Sequence, residues 1–277
     1  MKSRFGLHIR LKDSLFEAVE KTDRLGKTFF QTVLLLQSKK QLEITDDQIH
    51  QFVAMRSIKY SHFIVHAAYW SNITDVTSRG FYTLQREIAL AEKLGATHMV
   101  IHPGSFSSAL EPFDRIDRIV QAVQLLLKQS SKLIFLLENS PHQNRSFSAS
   151  IEEFGLLFTT LSVSDRVQMC IDTAHAHVAG YDLSTVQGVH DFIDLIIMHV
   201  GADKIGLLHV NDTKKPCGSF IDEHAIPGYG NIGMESLYRF VHHPALAHVP
   251  VIFEMPALDE SLELDIIQQF EHMDLIS

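Results

Sequence analysis

The sequence predicts an α/β fold, a (β/α)₈ barrel, on three observations. The chain has 277 residues, near the roughly 250 that such a barrel takes. A unit of roughly 35 residues recurs: a short β-branched or aromatic run, a polar loop, then an amphipathic stretch. No Gly-rich phosphate loop follows the first apolar run, which disfavours the alternative of an open doubly wound sheet. No linker, low-complexity tract or break in composition divides the chain, so one barrel domain is expected over residues 1–277.

In chain order, strands are expected at 4–9, 28–36, 62–66, 98–102, 132–138, 166–172, 203–209 and 249–254. Helices are expected between them at 13–26, 45–58, 78–94, 113–130, 148–161, 185–199 and 234–241, with a last one near 260–271. The stretch 78–94 shows the helical signal well. Leu84, Ile88, Ala91 and Leu94 recur at helical spacing, and Gly95 supplies the stop. Strands alternating with helices imply a parallel sheet, and eight parallel strands can close on a core of side chains.

Composition narrows the function. The net charge of −9 suits a soluble protein and lacks the basic footprint of a typical DNA binder. Divalent cations held by some of those carboxylates would reverse the sign locally. The only two cysteines, Cys170 and Cys217, fit a reducing compartment, and Cys170, inside an apolar run, reads as a small buried hydrophobe. The N-terminus shows no apolar leader segment. No apolar run approaches the roughly 20 residues of a membrane span. A cytoplasmic protein with no membrane association is expected.

The chemistry is carried by the ends of the strands. Phe63-Ile64-Val65 runs into His66, Met99-Val100-Ile101 into His102, and Ile134-Phe135-Leu136-Leu137 into Glu138. Met169-Cys170-Ile171 runs into Asp172, Gly206-Leu207-Leu208 into His209, and Val251-Ile252-Phe253 into Glu254. Successive spacings are 36, 36, 34, 37 and 45 residues, one strand–helix unit each time. A single His or acid at a strand end is ordinarily a solvated polar group. Six in register converge on one barrel face, where they would repel or go unsatisfied without cations. Three more residues join them. His175 follows Asp172 at the start of the next helix, and Asp222 and His224 have the period-two spacing that lets both face one way. All nine are O or N donors, suited to zinc or manganese. Nine exceed the needs of one tetrahedral ion and suit two or three ions with a bridging carboxylate.

At these residues the sequence resembles the endonuclease IV family of apurinic/apyrimidinic endonucleases, TIM barrels of the xylose isomerase-like superfamily. The matching blocks are Val100-Ile101-His102-Pro103-Gly104-Ser105, Leu137-Glu138-Asn139, Cys170-Ile171-Asp172-Thr173-Ala174-His175-Ala176 and Gly180-Tyr181-Asp182. His209-Val210-Asn211-Asp212-Thr213-Lys214, Gly218-Ser219, Asp222, His224, Gly228, Gly230-Asn231-Ile232-Gly233 and Glu254 follow. The likeness runs from Gly6 to Pro256.

The resemblance implies three zinc ions, with manganese as the alternative at one or more positions. It places His66, His102 and Glu138 on one ion; Glu138, Asp172, His209 and Glu254 on a second; and His175, Asp222 and His224 on a third. It implies hydrolysis of the phosphodiester 5′ to an abasic site in duplex DNA, with Glu138 and Glu254 as the catalytic carboxylates. Tyr69 and Trp70 lie where the family wedges the DNA stack, and Lys39-Lys40 carry the main positive charge of the loop after the second strand. His8 matches a family histidine, either packed or supporting the ligands. A monomer is expected.

Several DNA-facing positions depart from the family. Phe220 and Glu223 stand where basic residues are usual, Gly228-Tyr229-Gly230 replaces Gly-Glu-Gly, and Ser140-Pro141-His142-Gln143-Asn144-Arg145 replaces a small Gly-rich loop. Fewer phosphate contacts weaken binding and flatten its salt dependence. Two other readings remain: a sugar isomerase or epimerase, which usually needs one metal and a catalytic Lys or His, and a non-catalytic member that keeps its metals for stability.

Overall fold

The computed structural model describes residues 3–34, 42–106, 110–141, 150–161 and 165–272. Strands β1 (Leu7–Ile9), β2 (Phe29–Val33), β3 (His62–His66), β4 (His98–Ile101), β5 (Ile134–Glu138), β6 (Val167–Asp172) and β7 (Ile205–His209) pair in chain order, and β10 (Val251–Ile252) follows β7. Every pairing among them is parallel. The ring closes where Gly6 N–H donates to the Val251 carbonyl (2.9 Å) and Val251 N–H donates to the Arg4 carbonyl (2.8 Å). This is the TIM barrel that the recurring unit predicts.

Around it lie α1 (Phe16–Arg24), α2 (Asp46–Lys59), α3 (Arg79–Lys93), α4 (Pro112–Gln129), α5 (Ile151–Thr160), α6 (Thr173–Ala179), α7 (Val186–His199), α8 (Met234–Val241) and α9 (Glu260–His272). Their starts are written in the sequence as caps. Thr45 accepts from Gln48 N–H while the Gln48 side chain accepts from Thr45 N–H, and Ser78, Ser150 and Thr185 each accept from the N–H three residues on.

Strand alternation then sorts the side chains into two cores. One cluster, Phe29, Ile64, Val100, Leu136, Cys170, Leu207 and Ile252, fills the barrel; the larger one joins the outer strand faces to the helices. Cys170 is therefore a packed barrel residue. Because side chains repeat every two residues along a strand, the residue two beyond each interior position points the same way at the C-terminal end. Those residues are Gln31, His66, His102, Glu138, Asp172, His209 and Glu254. His8 completes the ring on the first strand. Two positions before it Gly6 occupies the interior, where a Cβ would stand 2.4 Å from the Phe29 ring.

The strands are shorter than the sequence suggests at the barrel's closing seam, where pairing is confined to a single bridge, Phe5 with Val251. Glu254 consequently lies two residues past β10, and His102, away from the seam, lies one residue past β4. The helix start expected at His175 is a separate short helix, α6, ahead of the one expected at 185–199, and an antiparallel hairpin of β8 (Asp212–Thr213) and β9 (His224–Ala225) was not expected from the sequence. The expected strand end at 35–36 and helix start at 148–149 lie outside the described residues. No helix among the described residues is long and apolar enough to cross a membrane.

Candidate metal centre

The structure brings all nine metal-ligating candidates together at the C-terminal mouth. Glu138 lies at the centre, fully buried at the end of β5. Its Oε2 is 3.1 Å from His66 Nε2 and 2.8 Å from His102 Nε2. Its Oε1 is 2.9 Å from His209 Nδ1 and 3.5 Å from His175 Nδ1. Glu254 Oε2 is 3.4 Å from His209 Nδ1. Asp222, on the loop before β9, is 3.4 Å from His175 Nε2 and 3.2 Å from His224 Nε2. Asp172 Oδ2 is 3.8 Å from His224 Nε2. Donor atoms within 4.8 Å of one another form three overlapping groups: His66, Glu138, His209 and Glu254; His102, Glu138 and His175; Asp172, His175 and His224. These groups share Glu138 and His175 and cut across the sets that the family resemblance implies.

Tautomers are fixed from outside. His66 Nδ1–H donates to the Ala67 carbonyl (2.8 Å), His175 Nδ1–H to the Asn139 carbonyl (2.9 Å), and His224 Nδ1–H to the Glu254 carbonyl (3.1 Å). A carbonyl can only accept, so in each neutral ring Nε2 is a lone pair turned to the carboxylates. His209 is set the other way: its Nε2–H meets Gln31 Oε1 at 2.9 Å, leaving Nδ1 for the centre. His175 Nε2 and His224 Nε2 are buried with no hydrogen-bond partner, although Asp222 is near.

A lone pair facing an acceptor-only carboxylate is repulsive unless a proton or a cation lies between them. The titration tendencies say the same. Burial alone would lower His66 and His224, yet Glu138 and Glu254 push the first up to about 9, and Asp222 and Asp172 push the second up to about 9. His175 is likewise held well above the ordinary imidazole value, its burial outweighed by Asp172, Asp222 and Glu138. Glu138 is buried, which would raise it, but His102 and His209 hold it well below the usual carboxylate range. The site is built for positive charge, and its N and O donors fit divalent cations such as zinc.

Residues that sequence reasoning did not single out support these donors. Gln31 Nε2 donates to Glu254 Oε1 (2.7 Å) and lies 3.0 Å from His8 Nδ1. Burial lowers His8 to about 4 despite the opposing effect of Glu254, so His8 stays neutral and accepts from Gln31. Asn211 Nδ2 donates to Asp172 Oδ2 (2.5 Å) and Asn211 Oδ1 accepts from Glu254 N–H (2.7 Å). Asn139 bonds both backbone groups of Asp172. Asp172 Oδ1 also caps α6, accepting from His175 N–H at 2.8 Å, so one carboxylate ends a strand, starts a helix and faces the centre. The available signal for Gln31 was a polar residue in the apolar run Phe29–Val33.

The centre opens into a cavity of about 240 Å³ lined by His8, Arg10 and Tyr69 and by six of the candidates, His66, His102, His175, Asp222, His224 and Glu254. Tyr69 and Trp70 are 66% and 51% exposed beside it, and the Tyr69 ring is 6.3 Å from that of His102. Lys39 and Lys40 lie outside the described residues. Phe220 has a φ of 55°, rare for a side chain of its size. Glu223 pairs with Lys214 (3.1 Å) and Lys215 (2.8 Å), offsetting one of the two positive charges.

The family described as xylose isomerase-like TIM barrel matches residues 15–274. A probable endonuclease 4 of Exiguobacterium sibiricum is 33% identical over 91% of this chain and 87% of its own length. One from a Geobacillus strain is 31% identical over 93% and 88%. The crystal structure of endonuclease IV from Thermus thermophilus superposes with a TM-score of 0.81 over 97% of this chain and 99% of that one, at 25% identity. The chain belongs to the endonuclease IV family of xylose isomerase-like TIM barrels.

Proposed function

We propose that the protein is a metal-dependent phosphodiesterase that cleaves duplex DNA on the 5′ side of abasic sites, using about three divalent cations. The observation that carries this reading is the set of imidazole lone pairs turned onto carboxylates, each ring held in place by a hydrogen bond from its other nitrogen. His66, His102 and Glu138 would hold one cation; Glu138, Asp172, His209 and Glu254 a second; His175, Asp222 and His224 a third. Zinc fits the donor set, with manganese acceptable at one or more positions. Bound cations would supply the charge that a phosphoryl group needs and a lowered pKa for water.

The chain's own residues supply the rest. Gln31 and Asn211 keep Glu254 and Asp172 oriented, and Gln31 keeps the His209 tautomer. Glu254, at the edge of the cavity, is placed to accept a proton from water. Tyr69 and Trp70 offer aromatic faces for the bases beside a missing one. Nine gathered N and O donors exceed what a single metal needs, which counts against the sugar isomerase reading.

The test is cleavage of a duplex oligonucleotide carrying a tetrahydrofuran site, across a salt series. The reading expects a cut 5′ to that site by the parent, and at least a roughly hundredfold loss in Glu138→Gln. No cut at any salt, with the metals confirmed in place, would redirect the assignment to another phosphoester or a sugar.

A further inference from the structure

Outside the barrel mouth, one other group of metal-ligating side chains gathers among the described residues: His177, Asp182 and Cys217, with donor atoms within 4.8 Å of one another. His177 is on α6 and nearly fully buried. Asp182 follows the Gly180 turn that ends α6, with its side chain 53% exposed. Cys217 is an exposed free thiol on the loop between β8 and β9. Three segments of chain thus deliver sulfur, nitrogen and oxygen to one place.

We infer that His177, Asp182 and Cys217 form a further cation site, for a thiophilic divalent ion with zinc foremost, which clips the β8–β9 loop to α6. Three protein ligands of this mixed type and a water complete a tetrahedral shell. Bond lengths to zinc put neighbouring ligands roughly 3.3–3.6 Å apart. His177 Nδ1 and Asp182 Oδ1 already stand 3.8 Å apart. The Asp182 carboxylate is steadied by Ser184, whose N–H and Oγ–H both donate to Oδ1 (3.0 and 2.6 Å). The Cys217 sulfur, on an exposed loop, already lies within 4.8 Å of the other two donors, so it needs only a small swing. The thiol gives its proton to solvent as the ion binds.

The site has a built-in competitor. His177 Nδ1 accepts a 3.2 Å hydrogen bond from Leu183 N–H, and an ion must take that lone pair instead. Binding is therefore weaker than at the barrel mouth, and this site fills last and exchanges first. Its position gives it a consequence. Gly218 N–H donates to the His177 carbonyl (3.2 Å) and Phe220 N–H to the Val178 carbonyl (2.9 Å), so the loop already lies along α6. The same loop carries Asp222, and α6 carries His175. An ion here ties together the two segments that present those donors to the main centre. None of this depends on which substrate the main centre serves.

The chain's only other cysteine, Cys170, is buried in the barrel, so Cys217 alone should react with a thiol reagent. The protein is first loaded at the main centre, then titrated with Zn²⁺ while thiol modification is timed, and with Cd²⁺ while the ultraviolet sulfur-to-metal band is read. One added equivalent should slow modification at least about tenfold and raise a band that saturates at that equivalent. Cys217→Ser should abolish the band. Asp182→Asn, which can still accept from Ser184, should weaken binding at least about tenfold. Unchanged thiol reactivity with zinc present would overturn the inference. So would a band that Asp182→Asn leaves at the parent's affinity, since that marks an ion held by sulfur alone.

Discussion

At the scale of single residues, Gln31 shows how the centre is specified. It is fully buried, and its amide touches His8, His209 and Glu254 at once. Groups that hold a metal's ligands typically carry ten- to hundredfold in affinity. Gln31→Leu keeps the volume and removes the bonds, so metal affinity should fall about 10–100-fold in chelator competition. Parent-like affinity would show that His209 and Glu254 orient themselves. Six of the nine candidate ligands could be listed from the sequence because each ends an apolar run at one-unit spacing, and His175, Asp222 and His224 because of their short spacing from each other or from a strand end. Their supports could not: an amide in the middle of a strand announces nothing until its neighbours from other strands are known.

At the scale of elements, the β8–β9 hairpin depends on one carboxylate. Asp212 is fully buried and accepts from the N–H groups of Gly228 (3.0 Å), Gly230 (3.0 Å), Ile232 (2.9 Å) and Gly233 (3.2 Å), besides Thr213 (2.8 Å). Gly230 is a glycine for the same reason: a Cβ there would stand 2.3 Å from Asp212 Oδ1. Asp212→Ala strands several N–H groups, and each buried orphan costs about 1–3 kcal/mol. A loss of about 3 kcal/mol or more is expected in denaturant titration; a loss below about 1 kcal/mol would mean that water replaces the carboxylate. The hairpin was not legible because two-residue strands leave no periodicity to detect. Helix α6 was legible only as a helix start at His175, because seven residues leave too few turns to show a helical period apart from the next helix. The long helices were legible from their 3.6-residue spacing, as in 78–94 with Gly95 as its stop.

The loop that carries Tyr69 and Trp70 rests on α3 through Glu87, which accepts from Ala68 N–H at 3.2 Å and is 5% exposed. Burial raises its carboxyl to about 7, against the lowering effect of the Ala68 bond. A carboxyl whose folded value is raised stabilises the fold fully below its unfolded value near 4.5, and that contribution is lost as pH rises through about 7. Glu87→Gln keeps an acceptor for Ala68 and no longer titrates. Its melting temperature relative to the parent should therefore rise between pH 5 and pH 8, and a pH-independent difference would place the Glu87 carboxyl at an ordinary value.

At the scale of the whole molecule, a barrel whose mouth concentrates acceptors belongs to a chain of net charge −9. The eightfold repeat made the barrel readable, because one alternation rule and one unit length generate it. The surface proposed to face DNA was less readable, since loops obey no such period and Lys39 and Lys40 lie outside the described residues. With Phe220 in place of a basic residue and Glu223 engaging both Lys214 and Lys215 while offsetting one of their charges, less positive charge remains for phosphates. Each phosphate contact contributes about −0.9 to the slope of log affinity against log salt. Glu223→Gln frees two lysines, so it should steepen that slope by about one to two units on abasic duplex. An unchanged slope would place this loop away from the DNA.

The central claim is that the nine gathered side chains are a multinuclear metal centre, and elemental analysis of the purified chain tests it most directly. After dialysis against a weak chelator, a buried multi-ligand site should still retain about three zinc or manganese ions per chain. Removing them with a strong chelator should lower the melting temperature, because metal binding is coupled to folding. One ion or none per chain, with a melting temperature indifferent to strong chelation, would contradict it.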